Sequence, residues 1–162
     1  MINGLPRGTR SKVFQRIVEQ LQTDPLLRSL IKRWNVWDKA VSPATTAANE
    51  IAIQLTPRLG AVDWYSPDTQ YGPLQVQIDL WLPGNSRGIY NAVDALDLWE
   101  AVESALYPPD IDKRKAFKRD LQCLGAETGE IRLAQPATLQ SAGEDGYVQV
   151  GLLQLNVKRH IN

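Results

Sequence analysis

The chain has 162 residues, 43% of them hydrophobic and 22% charged, enough for one folded core. Eighteen basic and eighteen acidic residues cancel, which argues against nucleic-acid binding driven by bulk charge. One cysteine, Cys123, and one histidine, His160, exclude an intramolecular disulfide and any Cys/His metal set.

The sum of charges hides a segregation along the chain. Residues 1–40 carry eight basic and three acidic side chains, residues 41–112 two and ten, and residues 113–162 eight and five. Opposite patches on one folded surface favour head-to-tail self-association, whereas tertiary folding that intermixes them does not. No apolar run has the length of a signal peptide or of a bilayer span, and the lone cysteine suits a reducing compartment, so assembly in a cytoplasm is expected.

Thr9 or Ser11 caps a predicted first helix whose apolar positions Val13, Phe14, Ile17, Val18 and Leu21 fall on one face. Asp24-Pro25 starts a second, short helix, since Asp accepts hydrogen bonds at an N-cap and proline fits the first helical position. Leu26, Leu27, Leu30 and Ile31 continue its stripe, and Lys32 and Arg33 complement the dipole in its last turn.

Residues 35–49 lose all periodicity and read as a loop containing Trp37. From Glu50 to Thr56 apolar and polar residues alternate, which predicts a strand ended by Pro57. Residues 57–72, with Trp64, Tyr65 and Tyr71, read as a long connection, and segments of that length are usually functional or ordered by a partner.

The organising stretch is Gly72 to Leu106. Leu74, Val76, Ile78, Leu80 and Leu82 alternate with Gln75, Gln77, Asp79 and Trp81, the period of a strand with one buried face. Pro83-Gly84-Asn85 stops it. A helix follows from Ile89, its stripe formed by Ile89, Ala92, Ala95, Leu96, Trp99, Val102 and Leu106. Tyr107-Pro108-Pro109 ends it, because the residue before a proline is driven out of helical geometry. Glu103 falls inside the apolar stripe, which makes it a snorkelling residue or the partner of a basic residue, of this or another subunit.

Residues 107–128 read as a third long loop, with the basic cluster Lys113, Arg114, Lys115, Lys118 and Arg119, and with Leu121–Leu124 as a short strand or turn. Glu130–Leu139 reads as an edge strand weakened by Pro136, and Glu144-Asp145-Gly146 as a hairpin turn. Tyr147–His160 is a long last strand. Its apolar set switches from Val148, Val150 and Leu152 to Leu153, Leu155 and Val157, which a β-bulge at Gly151 would reconcile. The expected architecture is a single α+β domain over residues 1–162, with a mainly antiparallel sheet of about four strands and two to three helices on one face.

The residue types carry little chemistry. There is no nucleophile elbow, phosphate loop or calcium loop. A Cys123–His160 pair is formally possible, but a buried cysteine and a solvated histidine are the plainer reading. Asp94, Asp97, Glu100 and Glu103 recur every three residues, as a solvated helix face does and as the acids of a small metal-dependent enzyme could. The cluster 113–119 reads as a solvated loop, a contact to an acidic neighbour or a nucleic-acid module. Five tryptophans are many for this length, and Trp37, Trp64 and Trp81 are interface candidates because tryptophan is enriched at interfaces. The predicted subunit-contact set is therefore Trp37, Trp64, Tyr65, Trp81, Glu103 and the five bases. Gln54, Gln75, Gln77, Gln149, Gln154 and Asn156, with Asp79, form an outward, amide-rich face that is nearly uncharged.

The layout as a whole resembles the tail terminator, or tail-completion, proteins of tailed bacteriophages. The residues that carry the likeness are the amphipathic helix with its Asp-Pro restart (Val13–Ile31), the strand Ile51–Leu55, and the alternating strand ending in Trp81-x-Pro83-Gly84. The helix Asn91–Leu106 and the terminal antiparallel strand complete it. The aromatic segment 57–72 and the basic segment 110–119 depart from a minimal version of that pattern. The resemblance implies a non-enzymatic virion protein without cofactor. It would form a ring, typically a hexamer, between tail tube and head-completion proteins, with genomic DNA passing through a lumen that the amide face would line.

Overall fold

A computed structural model describes residues 3–36, 50–60, 63–83, 90–141 and 146–160. Ten elements follow in order: α1 (Thr9–Thr23), α2 (Pro25–Leu30), β1 (Ile31–Val36), β2 (Ile51–Leu59), β3 (Asp63–Ser66), β4 (Thr69–Pro83), α3 (Ala92–Leu106), α4 (Ile111–Cys123), β5 (Arg132–Ser141) and β6 (Gly146–His160). The fold is α+β, with a mixed six-stranded sheet ordered β1-β2-β4-β6-β5 and β3 paired to β4. It has more strands than the sequence predicts, and β1 pairs with β2 in parallel while the other pairings are antiparallel.

β4 is the spine of the sheet. It is fifteen residues long and holds β6 along its whole length, from Thr69 opposite His160 to Pro83 opposite Gly146. Its other edge is shared by β2, from Leu74 to Trp81, and by β3, nearer its start. Leu74, Val76, Ile78, Leu80 and Leu82 are all buried, as their strict alternation requires.

Helices cover that apolar side. α1 packs on β4 and β6 and touches the other three helices. Its buried residues are the five the spacing singles out, Val13, Phe14, Ile17, Val18 and Leu21. At about 2 kcal/mol for each large apolar side chain removed from water, this face contributes roughly 10 kcal/mol before chain entropy is subtracted. Asp24 caps α2 by accepting from the Leu27 amide at 3.0 Å, with Pro25 at the first position.

Several expectations give way. α2 ends at Leu30, and Lys32 and Arg33 belong to β1, because Ile31 pairs with Ile51 of β2 and Trp34 and Val36 pack against the core. The expected loop 57–72 is the end of β2, the β3–β4 hairpin and the start of β4. The expected loop 107–128 is mostly α4, whose cap Asp110 accepts from the amides of Asp112 and Lys113. Of the loop 35–49, Asn35 and Val36 are strand, and the remainder lies outside the described residues, as does the turn at Glu144-Asp145.

The bulge expected at Gly151 is absent from the β4–β6 ladder, which runs without a slip. Gly151 instead makes room for Trp99 of α3. A Cβ at that position would lie 2.0 Å from Cη2 and 2.5 Å from Cζ2 of the indole. The irregular register belongs to β5, between Leu133 and Thr138 around Pro136, as befits an edge strand.

Candidate functional site

α3 begins with a reciprocal cap. The Asn91 side chain accepts from the amides of Val93 and Asp94 at 2.9 and 3.0 Å, while Asp94 accepts from the Asn91 amide at 2.7 Å. The helix is rotated from the predicted stripe. Leu98 is buried, Leu96 is 54% exposed, and Ala95, Trp99, Val102, Ala105 and Leu106 complete the core face. Glu103 is exposed and accepts from Trp99 Nε1 at 2.8 Å, so its partner is the indole one turn back and not a buried base. Asp97 and Glu100 are exposed. Among the described residues no three His, Cys, Asp or Glu side chains converge closely enough to hold a metal ion.

The basic cluster lies on a helix, not in a loop. Lys118 pairs with Glu130 at 3.0 Å, and Glu130 also meets Arg132 at 3.5 Å. The Lys118 hydrogen bond and charge, followed by Arg132, hold the Glu130 carboxyl below its ordinary range. Arg114 donates from Nε to the Pro108 carbonyl at 2.9 Å, which ties α4 to the turn before it. Lys113, Lys115 and Arg119 are exposed. Phe117 and Leu121 anchor the helix, and Arg16 of α1 lies over the Phe117 ring at 4.9 Å while its guanidinium meets Asp120 at 3.0 Å. Cys123 is exposed at the end of α4, against the expectation of a buried thiol, because the apolar face of the helix ends at Leu121.

Between α3, α4 and the approach to β5 lies a cleft of about 500 Å³. Leu106, Phe117 and Ile131 are buried apolar residues of its lining, with Ile111, Lys115 and Lys118 beside them. Tyr107, also on its lining, donates from its hydroxyl to the Ile131 carbonyl. Burial, then the nearby Glu130 charge, raises the Tyr107 hydroxyl above its ordinary pKa.

The side of the sheet away from the helices gathers most of the predicted amide face. Gln54, Gln75, Gln77, Gln154 and Asn156 share it by register: Gln54 opposes Asp79, and Gln75 opposes both Arg58 and Gln154. Gln75 Nε2 donates to Gln154 Oε1 at 3.0 Å, and Gln77 Nε2 reaches both oxygens of Asp79 at 3.1 and 3.2 Å. Partial burial raises the Asp79 carboxyl, offset by the Gln77 hydrogen bond and the Arg58 charge.

Gln149 does not belong to this surface. With no bulge in the β4–β6 ladder it stays in phase with Gly151 and Leu153 on the helix side, 3% exposed, and its Oε1 has no hydrogen-bond partner among the described residues. The same continuous phase sends Val148, Val150 and Leu152 to the side away from the helices, beside Trp81 and Ala52, and there Val148 and Ala52 are buried. This side is thus part amide and part apolar, with Arg58 and Arg132 in register with Gln75 and Gln154 and Arg33 in register with Ala52, and so less neutral than the sequence reading holds.

Of the tryptophans proposed for contacts, Trp64 on β3 is 61% exposed, and Trp81 is half-buried with no hydrogen-bond partner for Nε1 among the described residues. Trp37 and the side chain of Tyr65 lie outside the described residues. Lys118 of α4 meets Glu130, which in turn meets Arg132, a β5 residue in register with Gln154 of the amide set. What the sequence reading missed is the cleft, whose lining is scattered from Leu106 to Ile131 and has no motif.

No family model matches the chain, and no curated protein does. Twenty-five solved chains match it. One, which carries no functional name, aligns over 94% of this chain and 94% of its own at 15% identity, with a TM-score of 0.38. A likeness of that degree carries no argument about fold or function.

Proposed function

We propose that this chain is a non-enzymatic structural protein of a tailed-phage virion. In this reading its copies form a ring, a hexamer by the family pattern it resembles, joining the tail tube to the head-completion proteins and letting DNA pass. The observation that carries the reading is the amide surface on the side of the sheet away from the helices. Gln54, Gln75, Gln77, Gln154 and Asn156 lie there across three adjacent strands, and Gln75 and Gln154 hold each other by their side chains. The amides of this surface wet a channel wall without binding phosphates as a row of lysines would, and the basic residues among them, Arg33, Arg58 and Arg132, are spread over three strands. Support for self-association comes from the charges, since exposed acids lie on α3 and exposed bases on α4. A second support is the exposed Trp64, an aromatic residue of the kind that interfaces favour.

The test is genetic and biochemical. A phage deleted for this gene should accumulate unjoined heads and tails, and adding the purified protein should restore joining. The Gln75→Lys/Gln77→Lys variant should join particles but slow DNA ejection. A deletion phage that joins its particles normally would overturn the reading, and wild-type ejection by the lysine variant would overturn the placing of the amide face on the lumen.

A further inference from the structure

Ion pairs among the described residues engage Arg16, Lys118 and Arg132 with Asp120 and Glu130. Two charged ridges remain outside them. On α3, exposed Asp97 and Glu100 lie beside Val93 and Leu96, apolar residues 62% and 54% exposed. On α4, exposed Lys115 and Arg119 follow Ile111, 61% exposed, at four-residue spacing on one face, with the exposed Asp112 at its edge. Ile111 and Lys115 also line the 500 Å³ cleft, whose Leu106, Phe117 and Ile131 are buried apolar side chains. One ridge is an apolar knob flanked by acids, and the other is an apolar recess flanked by bases.

We infer that the two fit each other on successive copies of this chain. The α3 ridge of one copy docks at the α4 cleft of the next, with Leu96 as the apolar anchor and Asp97 and Glu100 facing Lys115 and Arg119. This rests on the self-associating part of the proposed function and names the faces that meet.

Two physical arguments fix the pairing. Like ridges repel, since α3 against α3 sets acid on acid and α4 against α4 sets base on base, so a two-fold dimer through either ridge is disfavoured. The contact is also closed to one molecule acting on itself. Leu96 lies about 16 Å along a rigid helix from Tyr107 at the cleft, at 1.5 Å per residue. Where each copy's knob and recess engage different neighbours the contact is heterologous, and it propagates until it closes into a ring or runs on as a filament. An apolar anchor seated in a recess and ringed by charges is also the usual anatomy of an interface hot spot.

The experiment is sedimentation equilibrium on the purified chain, wild type and two charge-reversed variants, Asp97→Lys/Glu100→Lys and Lys115→Glu/Arg119→Glu. All four positions are exposed, and unchanged melting temperatures check that the variants fold. Wild type should associate with concentration, and association should weaken as salt screens the ridges. Each variant alone should weaken association at least tenfold. Mixed in equal amounts the two should recover it, because every α3 ridge then meets a complementary α4 ridge on the other variant. A wild-type chain that stays monomeric at every concentration overturns the inference, as do variants that assemble like wild type or a mixture that stays apart. Wild-type assembly with insensitive variants would reject this pairing alone, whereas the ring-forming role stands or falls on the joining assay.

Discussion

Gly151 is where the packing of α3 on the sheet is most exacting. Replacing it with alanine puts a Cβ 2.0, 2.5 and 2.9 Å from three carbons of the Trp99 indole, and Trp99 is 5% exposed. Carbon atoms approach to about 3.5 Å at their optimum, so the ring must retreat by roughly 1.5 Å. It has little room to do so among close-packed neighbours. Overpacking of this kind costs about 1–3 kcal/mol, and we expect Gly151→Ala to lie at the upper end, near 3 kcal/mol. Trp99→Phe deletes Cη2 and Cζ2 together with the hydrogen bond to Glu103, and should cost about 1–2 kcal/mol by itself. In the double variant the new methyl occupies space the smaller ring leaves, so its cost should fall at least about 1 kcal/mol below the sum. Urea denaturation followed by circular dichroism measures all three. Additive effects, or a Gly151→Ala change within about 0.5 kcal/mol of wild type, would refute the packing argument.

Asn91→Ala should destabilise the protein by about 1 kcal/mol, since it removes the acceptor for two amides at the start of α3, while Asn91→Asp should retain most of it; a urea titration of the pair checks this. Asp79 carries a folded-state pKa raised by burial, so between its unfolded and folded values the native state binds more protons and stability falls as pH rises through that window. Asp79→Asn should therefore melt higher than wild type at neutral pH, with the difference shrinking as pH drops below the unfolded carboxylate range; thermal melts from pH 3 to 7 read it, and a difference that grows toward acid would contradict the sign.

The amino-acid pattern determined those elements whose environment is uniform along their length. β4 is flanked by strands along its length and covered by helices on one side, so its alternation from Leu74 to Leu82 reads directly as burial. α1 presents one face to one core, and its five buried residues are those its spacing names. Asp24-Pro25 announces its helix because capping is a contact between residues two or three apart.

What tertiary structure decided is everything that depends on a distant partner. β1 is a strand because β2 offers it a parallel edge, which Ile31–Val36 cannot reveal on their own. α4 is helical with only Phe117 and Leu121 buried, too few for a visible stripe in a charged segment. Gln149 is inside and Val150 outside because β6 keeps the register of β4 through Gly151, and that glycine is explained by the Trp99 ring, not by a bend in its own strand. Side chains fifty residues apart fixed the phase of the last strand. Local periodicity could not, since a slip of one residue exchanges the two faces of a strand without changing its propensity.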